Sequence, residues 1–135
     1  MGIRESKGIA DVIFGLDKRI RYVAILNHQY DLLESKMREG TTSLTPAQTD
    51  REFMTIAAPV MVGAAEKLKP FCGSMRRVVV RYDRVLLVFY RTLVNLVVLS
   101  LEPSVDEALL DKIGSSVKQL EFVDDNDDEE EGKPE

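Results

Sequence analysis

The sequence predicts an α/β (α+β) domain, ordered α-β-β-α-β-β-β-α, whose five strands form one antiparallel sheet with helices packed on its faces. Three observations predict it. Residues 75–82, 85–90 and 94–101 are rich in Val, Leu and aromatics, the residue types that suit a pleated, buried surface. Links of only three residues, Tyr82-Asp83-Arg84 and Arg91-Thr92-Leu93, separate these runs, and links that short join antiparallel neighbours. Segments of helical period lie before, between and after the strands, with no long parallel crossovers.

The first element is a helix. Ile9, Val12, Ile13, Leu16 and Ile20 keep helical spacing, which predicts an amphipathic helix over about residues 5–18. Tyr22-Val23-Ala24-Ile25-Leu26 is a short apolar run suited to a buried strand. A polar turn over 27–31 leads to a more polar strand over 32–38, lying toward a sheet edge. Residues 39–49 form a loop, at the end of which two helix starts compete. Thr45-Pro46-Ala47-Gln48 offers a cap and a proline for the first turn, and Thr49-Asp50-Arg51-Glu52 offers a reciprocal cap four residues later. The helix begun there ends near Lys69, before Pro70 and Gly73, and Pro59 inside it predicts a bend. After the three strands, Ser104 and Glu107 form a capping box for a last helix with the stripe Leu109, Leu110, Ile113, Val117 and Leu120.

Charge divides the chain unevenly. Of the 135 residues, positions 1–123 hold 17 Lys+Arg and 15 Asp+Glu, whereas positions 124–135 hold 8 acids and only Lys133. We therefore expect a nearly neutral domain over 1–123 and a disordered acidic tail over 124–135, since such a run repels itself and supplies no core. A neutral body is not the strongly basic surface that nucleic-acid binding requires. Cys72 is the single cysteine; internal disulfides are excluded, and a small buried hydrophobe in a reducing compartment is expected. The apolar stretch 85–101 is broken by Arg91 and Asn95 and is too short for a membrane helix of ~20 residues. No secretory leader is evident at the start, and a cytoplasmic location is expected. Met1-Gly2-Ile3-Arg4-Glu5-Ser6 fits the short N-myristoylation pattern, one loose enough to arise by accident.

In three segments the chain resembles the roadblock/LC7 group of the profilin-like superfold. They are Ile20-Arg21-Tyr22-Val23-Ala24-Ile25-Leu26-Asn27, Arg77-Val78-Val79-Val80-Arg81-Tyr82-Asp83 and Leu101-Glu102-Pro103. More closely, it is similar to an uncharacterised archaeal family of small proteins with that fold. The resemblance covers about residues 4–121. It implies a sheet in the order 2-1-5-4-3, no catalytic residue, frequent dimerisation, and service in some relatives as platforms for small GTPases or as motor subunits. The acidic tail and the polar Glu34-Ser35-Lys36 strand depart from that pattern. Fold alone does not fix function.

Signs of chemistry are few. His28 is the one histidine and sits in a predicted turn, where it reads as solvated. No Cys/His spacing suits zinc, no glycine pattern suits a dinucleotide or phosphate loop, and the carboxylates from Asp124 to Glu131 lack the glycine of a calcium loop. Ser115 and Ser116 have no histidine nearby in sequence. We expect no catalytic, metal-binding or cofactor-binding residue, and no enzyme.

Interaction surfaces are better represented. Arg76, Arg77, Arg81, Arg84 and Arg91 either guard apolar strands against aggregation or bind an acidic partner. At 100° per residue, Phe53, Ile56, Ala57, Val60, Ala64 and Leu68 fall on the helix face expected to pack on the sheet. Met54, Ala58, Met61, Val62 and Ala65 lie beside them, leaving Met54, Ala58, Met61 and Ala65 as an expected interface. A second candidate interface is the edge strand, with Arg77, Val78, Val79, Val80, Arg81 and Asp83. The expected function is a non-enzymatic protein-interaction or scaffold module, homodimeric, needing no cofactor. A small-molecule sensor with a pocket between sheet and helix is the alternative.

Overall fold

The computed structural model describes residues 2–132, with side chains described for residues 8–120. Five strands, β1 (Ile20–Asn27), β2 (Leu32–Met37), β3 (Val78–Arg81), β4 (Leu86–Arg91) and β5 (Asn95–Leu101), form one antiparallel sheet. Their order is β2-β1-β5-β4-β3, as the roadblock resemblance implied. Helices α1 (Gly2–Phe14) and α5 (Glu107–Gly132) accompany one face. On the other lie α2 (Ala47–Glu52), a wide π-helical turn (Phe53–Ala57) and α3 (Ala58–Glu66), with a short α4 (Lys69–Cys72) after them.

The central strands are apolar on both sides because both of their faces are covered. Val23 and Ile25 of β1, Val88 and Tyr90 of β4, and Val97 and Leu99 of β5 join Ala10, Ile13, Leu110, Ile113 and Val117 in one buried cluster. Their neighbours Ala24, Leu26, Phe89, Leu96 and Val98 join Met54, Ala58 and Val62 in the other. Alternation along each strand sends successive side chains to opposite layers, so burial on both faces erases the polar/apolar alternation from the sequence.

Several boundaries differ from expectation, each for a local reason. Helix α1 is interrupted at Gly8, whose φ of 73° favours glycine. A side chain at Gly8 would also collide with the Glu34 carboxylate, which accepts the Ile9 N–H at 3.3 Å. Asp106, not Ser104, caps α5, accepting the Leu109 N–H at 3.0 Å. Pro46 stands before α2 with no side-chain cap, while Thr45 bonds to Asp50. The edge strand β3 is only four residues long, half of the run that predicted it. Helix α5 continues beyond Val123 to Gly132, where composition predicted a tail without structure. The side chains of that acidic segment and of the Gly2–Ser6 pattern, like residues 133–135, lie outside the described residues. Among the described residues no helix is long and apolar enough to cross a membrane.

Candidate functional site

The helix that packs on the sheet presents the opposite face to the one its periodicity suggested. Met54 is 5% exposed, and Ala58 and Val62 are fully buried against the sheet. Ile56 and Val60, expected inside, are 63% and 66% exposed. Met54 and Ala58 are therefore core residues and are withdrawn as interface candidates; Met61 and Ala65 are partly buried at the flank. Two physical causes account for the reversal. Apolar residues surround this helix on nearly every side, so periodicity alone cannot choose a face. The wide turn then changes the phase: Ala58 N–H donates to Phe53 O, five residues back, and such a turn rotates the residues beyond it by roughly 100°. The wide turn also takes up the break in the ladder that the missing N–H of Pro59 imposes.

The result is a row of large apolar side chains in water. Ile56, Val60, Ala64 and Leu68 recur every fourth residue and so share one helix face. Leu68 is 59% exposed, and Phe71 on α4 is 84% exposed. Gly73, with φ 94°, ends this helical stretch. Cys72 is exposed beside Phe71, contrary to the expected burial, because α4 carries no buried residue at all.

The two edges of the sheet differ. On β2 the edge is polar and tied down: Lys36 Nζ lies 2.7 Å from Asp11 of α1. Arg38, just beyond, donates to the carbonyls of Phe14, Asp17 and Ile20. On β3 the edge residues are Val78, Val79 and Val80, paired only with β4. Tyr82 N–H donates to Val85 O at 2.9 Å, and alternation along the hairpin then turns the amides of Val78 and Val80 inward and those of Val79 and Arg81 outward.

The flanking arginines are mostly occupied within the chain. Arg77 bridges Glu107 at 2.6 Å and Asp111 at 2.7 Å, and Arg81 approaches Glu107 at 3.4 Å. The hydrogen bond from Arg77 holds the Glu107 carboxyl below its ordinary range. Arg91 pairs with Glu66 at 3.3 Å. The arginines that bracket β3 thus fasten it to α5, and with their charges compensated they do not repel a second copy freely. Asp83 lies exposed in the β3–β4 turn.

A cleft of ≈ 340 Å³ opens between α2 and the sheet, its walls including Tyr22, Phe53, Met54, Leu87 and Val98, with Asp50 and Ser100 as polar members. Burial pushes the Tyr22 hydroxyl up; a hydrogen bond with Ser35 works against this and Asp50 adds to it. Among the described residues no group of three His, Cys, Asp or Glu is placed to hold a metal ion. His28 is exposed in the β1–β2 turn.

Solved structures of known proteins share this architecture. A structure described as MglB with tetrameric arrangement is 16% identical, covers 82% of each chain and superposes with a TM-score of 0.64. A roadblock/LC7 domain from Streptomyces avermitilis is 18% identical over 80% of this chain and 92% of that one, with a TM-score of 0.55. The fold is that of a roadblock/LC7 domain. Myxococcus xanthus MglB shares it too, at 13% identity over 88% of this chain and 98% of its own, with a TM-score of 0.61. No family model matches the sequence, and no curated protein matches it. These matches lend no support to the likeness with an archaeal family. Among the described residues, the helix face bearing Ile56 and Val60 is exposed, and β3 pairs on one side only. Of the α3 face, only Met61 and Ala65 among the expected residues border it.

Proposed function

We propose that the protein is a non-enzymatic interaction module that works as a homodimer in the cytoplasm, with residues 1–123 as its domain and the acidic residues 124–135 outside it. The observation that carries this reading is the exposed row Ile56, Val60, Leu68 and Phe71. Water penalises such a row at about 25 cal/mol per Å² of apolar surface, and a second copy would cover it. The β3 edge supports the same assembly. Pairing two β3 strands about a two-fold axis centred on Val80 sets Val79 opposite Arg81, both with outward amides, and Arg77 opposite Asp83. The roadblock resemblance further points to a small GTPase or a larger assembly as the partner of the dimer, and one matched structure is described as tetrameric.

Proline at Val79 tests the edge. It removes an outward N–H and spares the bonds to β4, so a folded monomer is expected from sedimentation. An undiminished dimer would remove β3 from the interface. A second reading, a small-molecule sensor, draws on the cleft beside Tyr22, whose ≈ 340 Å³ lies at the small end of ligand sites. A compound that raises the unfolding temperature of the chain, and loses that effect when Leu87→Trp fills the cleft, would favour it.

A further inference from the structure

A different surface, at the opposite end of the sheet from that cleft, is built for anions. Two adjoining depressions of ≈ 560 and ≈ 480 Å³ share Ser74, Met75 and Lys118. Lys69 and Arg91 stand in the wall of one, and Arg76 and Arg77 in the wall of the other. The carboxylates present are already engaged, Glu66 by Arg91 and Asp111 by Arg77. Among the described residues Lys69, Arg76 and Lys118 have no acidic partner, and Nη1 of Arg91 is buried with no hydrogen-bond partner. Three elements distant in sequence, the α4 region, the β4–β5 turn and α5, therefore bring together an uncompensated excess of cations around one hollow. Ser74 stands in the wall common to both, while the hydroxyls of Thr92 and Ser115 already donate to the carbonyls of Asn95 and Asp111.

We propose that this basic hollow is a docking site for a carboxylate-rich peptide, and that its occupant is the acidic segment 124–131 of a second copy of the chain. Charge complementarity supports the match: that segment has seven Asp and Glu in eight residues and no cation. Helix geometry selects the donor. Lys118 lies on α5, and α5 runs on to Gly132, so Asp124 begins roughly 9 Å farther along the axis at 1.5 Å per residue. A chain's own acidic segment is thereby carried away from its own hollow and presented outward to a neighbour. Nucleic acid fits less well, because the cations are confined to one hollow on a body otherwise near neutrality rather than laid along a stripe. The site does not rest on the α3 dimer and is tested apart from it.

The experiment measures fluorescence anisotropy of a labelled peptide with the sequence of residues 121–132, added to the full chain at low salt. Expected is saturable binding that weakens as salt shortens the screening length, ~10 Å at about 0.1 M. Binding should fall by about tenfold or more in the double variant Lys69→Glu/Lys118→Glu, whose exposed sites leave the fold intact. Arg84→Glu, at the far β3–β4 turn, should change nothing, and a peptide with its acids replaced by Asn and Gln should not bind. Absence of binding at low salt, or equal binding by the double variant, overturns the site. Tighter binding of a short single-stranded RNA to the same lysines overturns the choice of a carboxylate partner.

Discussion

The two faces of the sheet are treated differently by the chain. On one, α1 and α5 close over Val23, Ile25, Val88, Tyr90, Val97 and Leu99, and the polar tip of Tyr90 is satisfied inside, donating to Leu110 O at 2.7 Å. Burial pushes that hydroxyl well above its ordinary pKa. On the other, the wide turn and α3 cover Phe89, Leu96 and Val98 yet leave Ile56 and Val60 in solvent. The first face has the shape of a finished core. The second has one helical stretch with apolar residues on both sides, one side buried on the sheet and the other exposed to solvent. On the proposed reading, the first layer serves stability and the second also serves recognition.

Perturbations of each layer should therefore read out differently. The largest loss of stability is expected for Leu110→Ala on the closed face, about 2–5 kcal/mol in denaturant unfolding; a loss under about 1 kcal/mol would mean that this face is not the principal core. A sharper contrast lies within the helix on the open face. Met54→Ala should cost about 2–3 kcal/mol, while Val60→Asp should change monomer stability by about 0.5 kcal/mol or less. Equal damage from both, measured by chemical denaturation at low protein concentration, would erase the distinction between the two sides of the helix.

That contrast also shows where the sequence was legible. Helix order and the hairpins were readable from the Val-rich runs and three-residue links, whereas the strand order in the sheet was implied only by the roadblock resemblance. The break at Gly8 goes with a contact to Glu34 that forms only on folding, whereas the cap at Asp106 is local, three residues from the amide it holds. The choice of face on the 53–66 helix was illegible for a deeper reason. With Ile56, Val60, Met54 and Val62 all apolar, the hydrophobic pattern is nearly degenerate, and a single wide turn at 53–57 decides the outcome. Degeneracy of this kind is itself a signal: a surface helix with no polar side has more than one surface to cover. Sequence reasoning expected Met54 and Ala58 to be exposed on this helix, whereas they are buried and Ile56 and Val60 face solvent. The hollow around Lys118 drew on residues from three distant segments, and none of its local sequences announced it.

The smallest effect concerns the ties between β3 and α5. The Glu107 carboxyl is held low by Arg77, so the folded state binds its proton less readily than the unfolded chain. Its stabilising contribution is present above the ordinary carboxylate pKa and fades as pH falls through the lower folded value. Unfolding curves of the unmutated chain and of Glu107→Gln should differ slightly near neutrality and converge in acid. A difference that grew toward low pH would reverse the sign and discount the Arg77 contact.

The central claim, that the exposed side of α3 is an interface between copies, is tested most directly by the mass in solution. Light scattering at tens of micromolar should give the unmutated chain about twice its 15.2 kDa, and Val60→Asp a folded monomer. A clean 15.2 kDa species for the unmutated chain, or a dimer indifferent to Val60→Asp, would contradict it.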